Sequence, residues 1–223
     1  MMIKLNFYGN PYIGVYAKAN DRFALIPEDS TEKFEHAVCS RLKVEPVRVS
    51  LVSSSILGIY SAMNSNGIVV PHIVYKEEVQ KIKRETGMNV CELNTASNAI
   101  GNVICCNDNG AIVSDLMEKK NLKKIEDCLG VEAVQMKIAG FSTVGVACIA
   151  TNKGLIAHND IEDEELKQIE EVLKVEGINS SVNMGFPFPA YGIIANSKGY
   201  VVGDKTSGIE IMRIERGLGF TEK

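Results

Sequence analysis

The sequence predicts an α/β fold: a closed, five-fold pseudo-symmetric α/β propeller of five β-β-β-α repeats, each of about 44 residues. Three observations predict it. Turns of one pattern recur at "NSNGIVVP" from Asn64, "NDNGAIVS" from Asn107, "TNKGLIAH" from Thr151 and "NSKGYVVG" from Asn196, and their glycines (Gly67, Gly110, Gly154, Gly199) are spaced by 43, 44 and 45. A further copy, "NDRFALIP", keeps Asn20 and Pro27, the counterpart of Pro71, with Phe23 in the glycine's place. Second, Gly14, Gly58, Gly101 and Gly145 each stand nine residues before those positions, while in the fifth copy Gly192 stands seven before, implying a two-residue deletion. Third, both terminal repeats look like their neighbours. A linear solenoid would need polar caps, and the segment 2–8 ("MIKLNFY") reads as a strand able to complete a ring.

The repeats fall at about 1–43, 44–87, 88–130, 131–176 and 177–220 of a single domain, 1–223. Each opens with an alternating strand such as "VRVSLVS" or "EAVQMKIA". A short loop ending in glycine leads to a second, more apolar strand such as "GVACIA". The Asn/Gly turn then makes a hairpin, with glycine supplying positive φ, and a third strand such as "GLIAH" follows. A one-sided helix ends the repeat. Its apolar stripe is Phe34, Ala37, Val38 and Leu42 in the first copy, Leu122, Ile125 and Leu129 in the third, and Leu166, Ile169 and Leu173 in the fourth. Asp29 with Glu32, and Asp115 with Glu118, read as capping boxes. The fifth helix, near Thr206 to Arg216, contains "GIEIMRIE", which also alternates like a strand. A propeller of four-stranded blades would fit the period, but it would carry neither these helices nor a composition without tryptophan.

Composition narrows the function classes. Hydrophobic residues make up 45% and charged residues 23%, as in a folded globular chain. A formal charge of −4 gives no broad footprint for nucleic acid and suits a basic partner protein better. The start, "MMIKLNFYGN", lacks the apolar core of a signal peptide, and runs such as "VGVACIA" are too short to span a bilayer. A cytoplasmic protein is expected, with no membrane association. The cysteines Cys39, Cys91, Cys105, Cys106, Cys128 and Cys148 include no Cys-x-x-Cys pair, so they read as small core residues rather than a zinc or redox motif. In "GNVICCNDNG", Cys106 takes the place of Ala19, Met63, Ala150 and Ala195, which marks it as filling.

The loops between first and second strands carry the functional signal. They read "GNPYIG", "SSSILG", "TASNAIG", "AGFSTVG" and "GFPFPAYG", and these 34 residues contain no charge where the chain average would put about eight. Pseudo-symmetry gathers them on one side of the ring, with Tyr12, Ile13, Leu57, Ile100, Phe141, Phe186, Phe188 and Tyr191. The segments leading into the helices ("PEDSTE", "YKEEV", "SDLMEKK", "NDIEDEE", "GDKTS") are expected on the opposite, charged side. An uncharged, partly aromatic face is what an interface core prefers. The acidic run from Asp160 to Glu176 reads as a solvated helix face. No catalytic constellation stands out: His36 lies in a helix, His72 and His158 follow third strands at near-equivalent repeat positions that lie apart around a ring, which disfavours a two-histidine metal site, and no Gly-x-Ser-x-Gly elbow occurs.

The stretches "GNPYIGVYAKAND", "SSSILGIYSAMNSNGIVVP", "LNTASNAIGNVICCNDNGAIVS", "GFSTVGVACIATNKGLIAH" and "GDKTSGIEIMRIE" span essentially the whole chain. On them the chain resembles the archaeal translation initiation factor 6 family, of pentein architecture. The resemblance implies a monomeric, non-enzymatic factor without cofactor or metal. Such factors bind the inter-subunit face of the large ribosomal subunit near the sarcin–ricin loop, mainly through a ribosomal protein. They block the small subunit by bulk, take part in large-subunit biogenesis, and leave through a translational GTPase and a helper protein. The matching contact positions are Ile13, Gly14, Leu57, Gly58, Ile59, Gly101, Asn102, Val103, Val144 and Gly145; the uncharged loops add Tyr12, Ile100, Tyr191 and Gly192. The long phosphorylated tails of eukaryotic members have no counterpart after "GFTEK", so regulation through one is not expected. Other penteins modify guanidino groups with a late cysteine nucleophile. "HND" at His158–Asp160 echoes their His-x-acid pattern, but no cysteine follows Cys148, which disfavours that alternative. A non-ribosomal scaffold using the same face is the other alternative.

Overall fold

Parallel pairing decides how the repeats assemble. The computed structural model describes residues 3–221. In the first blade, β3 (Phe23–Pro27) is buried throughout, pairs antiparallel with β2 (Lys18–Ala19), and pairs parallel with β4 (Glu45–Val49). The helix Glu32–Leu42 makes the crossover that parallel strands require. But β4 is the strand that opens the second sequence repeat, so repeat and blade are out of phase: each repeat gives its first strand to the blade before it. Blades two to four follow suit, as β5–β6–β7 (Ala62–Met63, Gly67–Pro71, Asn89–Leu93), β8–β9–β10 (Ile104–Cys106, Ala111–Ser114, Ala133–Met136) and β11–β12–β13 (Cys148–Ala150, Leu155–Ala157, Gly177–Asn179). In the fifth, β14 (Ile193–Asn196) and β15 (Gly199–Gly203) take their third strand from the N-terminus. There β1 (Lys4–Leu5) lies parallel to β15, with Lys4 opposite Val202 and Leu5 opposite Gly203. The strand expected over 2–8 is therefore two residues long in the structure, because Phe7 already begins a turn bridged to Asn10; Met2 lies outside the described residues.

The glycine-ended loops are not loops throughout. They finish in one-turn helices, Ile13–Val15, Leu57–Tyr60, Ile100–Val103, Val144–Ala147 and Pro189–Gly192, which contact one another in a closed circle. The second residue of each faces the helix before it. A Cβ on Gly58 would stand 1.9 Å from the Gly14 carbonyl oxygen, one on Gly101 1.9 Å from that of Gly58, and one on Gly145 2.2 Å from that of Gly101. Gly14 closes the circle against the carbonyl of Ala190. Ala190, nine residues before Gly199, is thus the fifth repeat's counterpart, and the two-residue deletion expected from Gly192 does not exist. Gly192 packs instead against Val182 and Asn183.

The hairpin glycines also differ from expectation. Gly67, Gly110, Gly154 and Gly199 do not have positive φ. They are needed for closeness: a Cβ on Gly110 would meet the Val172 carbonyl at 2.0 Å, and one on Gly199 the Arg41 carbonyl at 2.4 Å. Each hairpin is pressed onto the C-terminal end of the next blade's helix. The buried asparagine that opens the hairpin fastens this contact. Asn107 accepts at Oδ1 from its own turn (Asn109 N, Gly110 N) and donates from Nδ2 to the carbonyls of Thr151 (3.0 Å) and Leu173 (2.8 Å) in the next repeat. Asn64 and Asn196 do the same, so the circle runs through Asn20 and breaks only at Thr151, which has no amide to donate.

Five hydrophobic clusters lie between successive blades rather than within them. One joins Leu25 and Val47 to Ile68 and Ile82, and another closes the ring by joining Ile194 and Val201 to Ile26 and Val38. The helical stripes fill them as expected, although Ala37, Leu122 and Leu166 sit at their margins. The fifth helix, Gly208–Gly217, is a helix despite its alternating sequence, because Ser207 and Glu210 cap its start reciprocally. The expected capping boxes are displaced. Thr31, not Asp29, caps the first helix, and Glu118, not Asp115, is the N-cap residue of the third.

The second strand of each repeat (β2, β5, β8, β11, β14) lines a narrow axial cavity of about 30 Å³, walled by Ala17, Lys18, Met63, Cys106, Ala150 and Ala195 among others. Cys106 fills one wall position of this cavity; burial pushes its thiol up to about 12.

Candidate interaction face

Two parallel strands of one blade end on the same side of the ring. The uncharged loops and the helix starts therefore share one face, and the expected division into a charged and an uncharged face is corrected. The contacts are direct. Glu78, in the first turn of its helix, accepts from Val52 N (2.8 Å), Ser53 N (2.9 Å) and the Ser50 hydroxyl (3.0 Å) at the start of the "SSSILG" loop. Glu165 accepts from Ala139 N, and Glu210 from Met184 N, Gly185 N and the Ser181 hydroxyl. These carboxylates brace three tight turns of positive φ, Val52–Ser53, Ala139–Gly140 and Asn183–Gly185; in the corresponding Tyr8–Gly9 turn Gly9 N donates instead to Asn6 Oδ1 at 2.9 Å. For a β-branched residue such as Val52 that conformation is strained. Phe34 occupies the equivalent helix position in blade one and packs edge-on to Phe7, with ring centroids 5.2 Å apart. The result is an apolar central zone with the charged helix starts on the outer part of the same face, where acids (Glu28, Asp29, Glu77, Asp115, Glu118, Asp160, Glu162) outnumber the lysines (Lys76, Lys119, Lys120, Lys205) and Glu28, Asp115 and Glu118 are ion-paired to Lys81, Lys137 and Lys120; the opposite face holds the Asn/Gly hairpins.

The candidate contact residues divide sharply by burial. Ile13, Gly14, Leu57, Gly58, Ile100, Gly101, Val103, Val144, Gly145 and Gly192 are buried in the circle of one-turn helices. A partner cannot touch their side chains; they build the platform. Tyr12, Ile59, Asn102 and Tyr191 are half-buried and reach its surface. Asn102 hydrogen-bonds the Tyr191 hydroxyl from a non-adjacent blade, and burial raises the tyrosine pKa while that bond lowers it. The side-chain amide oxygen of Asn102, Oδ1, is buried without a hydrogen-bond partner.

From Tyr12 an aromatic arc runs along blades five and four. Tyr12 stands 4.7 Å from Phe186, Phe186 5.8 Å from Phe188, and Phe188 5.1 Å from Phe141 (centroid distances). His158 lies beneath, 1% exposed, with its ring 5.0 Å from Phe141 and 4.9 Å from Phe188. Its Nδ1 accepts from Asp160 N at 3.2 Å, which leaves the proton on Nε2, a buried group without a partner. The faint His-x-acid motif is therefore a turn device facing aromatic rings. Burial lowers the His158 pKa from its ordinary 6.5, with Asp160 opposing. A base held neutral in the fold stabilises fully above 6.5 and loses that contribution as pH falls through the depressed value. Denaturation measured between pH 7 and 5 should show stability declining with acid, and His158→Phe should flatten that slope.

Sequence reasoning missed two exposed groups here, Tyr8 (68%) and Met184 (77%), which stand immediately before charge-free loops; Phe141, expected on this face, is 41% exposed within one. Turn geometry lifts them outward. The residues just before two of the glycine-starting loops were the available signal. No cluster of three metal-ligating side chains exists among the described residues, and no helix among them is long and apolar enough to cross a membrane.

The sequence profile of the eIF-6 family matches residues 2–217. The chain belongs to the eIF-6 family. Curated eIF-6 relatives named translation initiation factor 6 include one from Pyrococcus horikoshii, 39% identical over 97% of this chain and 98% of its own. Others come from Staphylothermus marinus (35%; 97% and 97%) and Haloquadratum walsbyi (37%; 99% and 98%). The family role is that of a translation factor and not of an enzyme. Among solved structures, a dimethylarginine dimethylaminohydrolase in adduct with S-methyl-L-thiocitrulline shares 13% identity at a TM-score of 0.48, covering 94% of this chain and 74% of that one.

Proposed function

We propose that this eIF-6 family member binds the large ribosomal subunit on its inter-subunit surface, mainly through a ribosomal protein near the sarcin–ricin loop, and keeps the small subunit away by bulk. The same binding would serve large-subunit biogenesis in the cytoplasm, with release by a translational GTPase and a helper protein, and the factor would act as a monomer. Family membership over nearly the whole chain supports the ribosome as target. The observation that carries the choice of face is the uncharged central zone, where a rigid platform presents Tyr12, Phe141, Met184 and Tyr191 inside an acidic rim. Such an arrangement, aromatic anchors within a polar border, suits a contact of defined register. The acidic rim favours a basic ribosomal protein over bare RNA.

Gradient sedimentation tests this. The protein should travel with isolated large subunits and reduce their joining to small ones. The double variant Phe141→Ala/Met184→Ala removes exposed side chains, so its thermal transition should stay near that of the parent, while its affinity should fall by at least about tenfold. Parent protein that stays at the top of the gradient would refute ribosome binding. Full binding by the double variant would refute the placement of the contact on blades four and five.

A further inference from the structure

All six cysteines are free, and four of them meet in pairs across blade boundaries. Cys105 on β8 hydrogen-bonds Cys148 on β11, joining blades three and four in the wall of the axial cavity. Both are buried, at 4% and 1% exposure. The second pair lies further out. Cys91 is on β7, the outer strand of blade two, and is half-buried. Cys128 is in the last turn of the blade-three helix Lys119–Leu129. Its sulfur lies 3.5 Å from the Ile68 carbonyl and 3.9 Å from the Asn89 carbonyl, against the strands of blade two, and Cys91 packs against the same hydrophobic cluster, where the two thiols interact. The contact is forced by packing. Gly67 has no side chain because the Cys128 carbonyl and sulfur occupy that space, 2.2 and 2.9 Å from where a Cβ would be.

We propose that Cys91 and Cys128 form a redox-modification site, in which a peroxide oxidises Cys91 and Cys128 resolves the product to a disulfide that staples blade two to blade three. The Cys91 thiolate attacks one peroxide oxygen, the O–O bond breaks, and the departing hydroxide takes a proton to become water. Cys128 then attacks the Cys91 sulfenic sulfur; the S–S bond forms, the S–O bond breaks, and the hydroxyl leaves as a second water with the Cys128 proton. Two thiols thus lose two electrons, and hydrogen peroxide gains them. Access favours Cys91 as the attacking group, since it is half-buried while Cys128 is only 6% exposed, and its electrostatic surroundings point the same way. The hydrogen bond from Cys128 lowers its pKa to about 7, and Lys124 also lowers it, against burial and the carboxylates of Glu92 and Asp127. Cys39, equally half-buried, has its thiol raised to about 11 by burial and by Glu35. A reactive thiol needs thiolate character and access together, and the inner pair lacks access.

The experiment treats the reduced, folded protein with hydrogen peroxide at neutral pH, blocks remaining thiols, and measures intact mass and non-reduced peptides. A loss of two hydrogens with one cross-linked peptide joining Cys91 to Cys128 is expected. Cys91→Ser and Cys128→Ser should each abolish the cross-link, and Cys128→Ser should leave a Cys91 sulfenic acid that reacts with dimedone. In the parent, Cys91 should alkylate with iodoacetamide at least about tenfold faster than Cys39. A cross-link between Cys105 and Cys148 in its place, no mass loss, or the same loss in Cys91→Ser would overturn the proposal.

Discussion

Replacing Gly58 by alanine is expected to destabilise the protein by more than about 3 kcal/mol. The added Cβ would stand 1.9 Å from the Gly14 carbonyl oxygen, 3.0 Å from its carbon and 3.2 Å from the Val15 carbonyl oxygen. All three are backbone atoms, so no side chain can swing aside, and relief requires moving one one-turn helix away from the next. In a closed circle that displacement passes to every neighbour. The measurement is chemical denaturation of Gly58→Ala beside Gly208→Ala. Gly208 opens the last helix, has nothing within 4 Å of its Cβ site and lacks positive φ. Its alanine variant should therefore match the parent or exceed it, by up to about 1 kcal/mol. Equal stability of the two variants would mean that the circle of glycines does not hold the platform. Leu57→Glu, which looks like a surface test on sequence grounds, would instead bury a charge at a fully enclosed site.

Asn107→Ala should lower stability by about 3 kcal/mol, since it removes hydrogen bonds on both sides of a blade boundary. Two turn N–H groups, of Asn109 and Gly110, lose their acceptor, and the Thr151 and Leu173 carbonyls lose their donor, at a side chain only 4% exposed. The fourth repeat supplies its own control. Thr151 keeps the acceptor role, taking Lys153 N at 3.1 Å and Gly154 N at 3.3 Å, without any donor to the next blade. Asn107→Thr should accordingly lose about half of what alanine loses. Paired denaturation curves decide this, and a threonine variant as unstable as the alanine one would assign the whole effect to the boundary.

The legibility of the candidate face was uneven. Charge-free loops could be read because absence of charge is a property of composition. Which of their residues face outward could not, because Ile13, Leu57, Ile100 and Val144 lie in a packed circle that exists only when five repeats are present. In a string, Met184 and Leu57 are both apolar residues near a glycine. A turn with positive φ exposes one, and a neighbouring blade encloses the other.

By itself the sequence determined the number of blades, the order of elements within a repeat and the closure by a spare N-terminal strand. These follow from periodic glycines and apolar spacing, which are local patterns repeated along the chain. Only the tertiary structure decided which strands share a sheet, which face the helix starts join, and why the glycines are there. Those answers depend on contacts between blades, where parallel strands end on the same side and backbone carbonyls come close enough to forbid a Cβ.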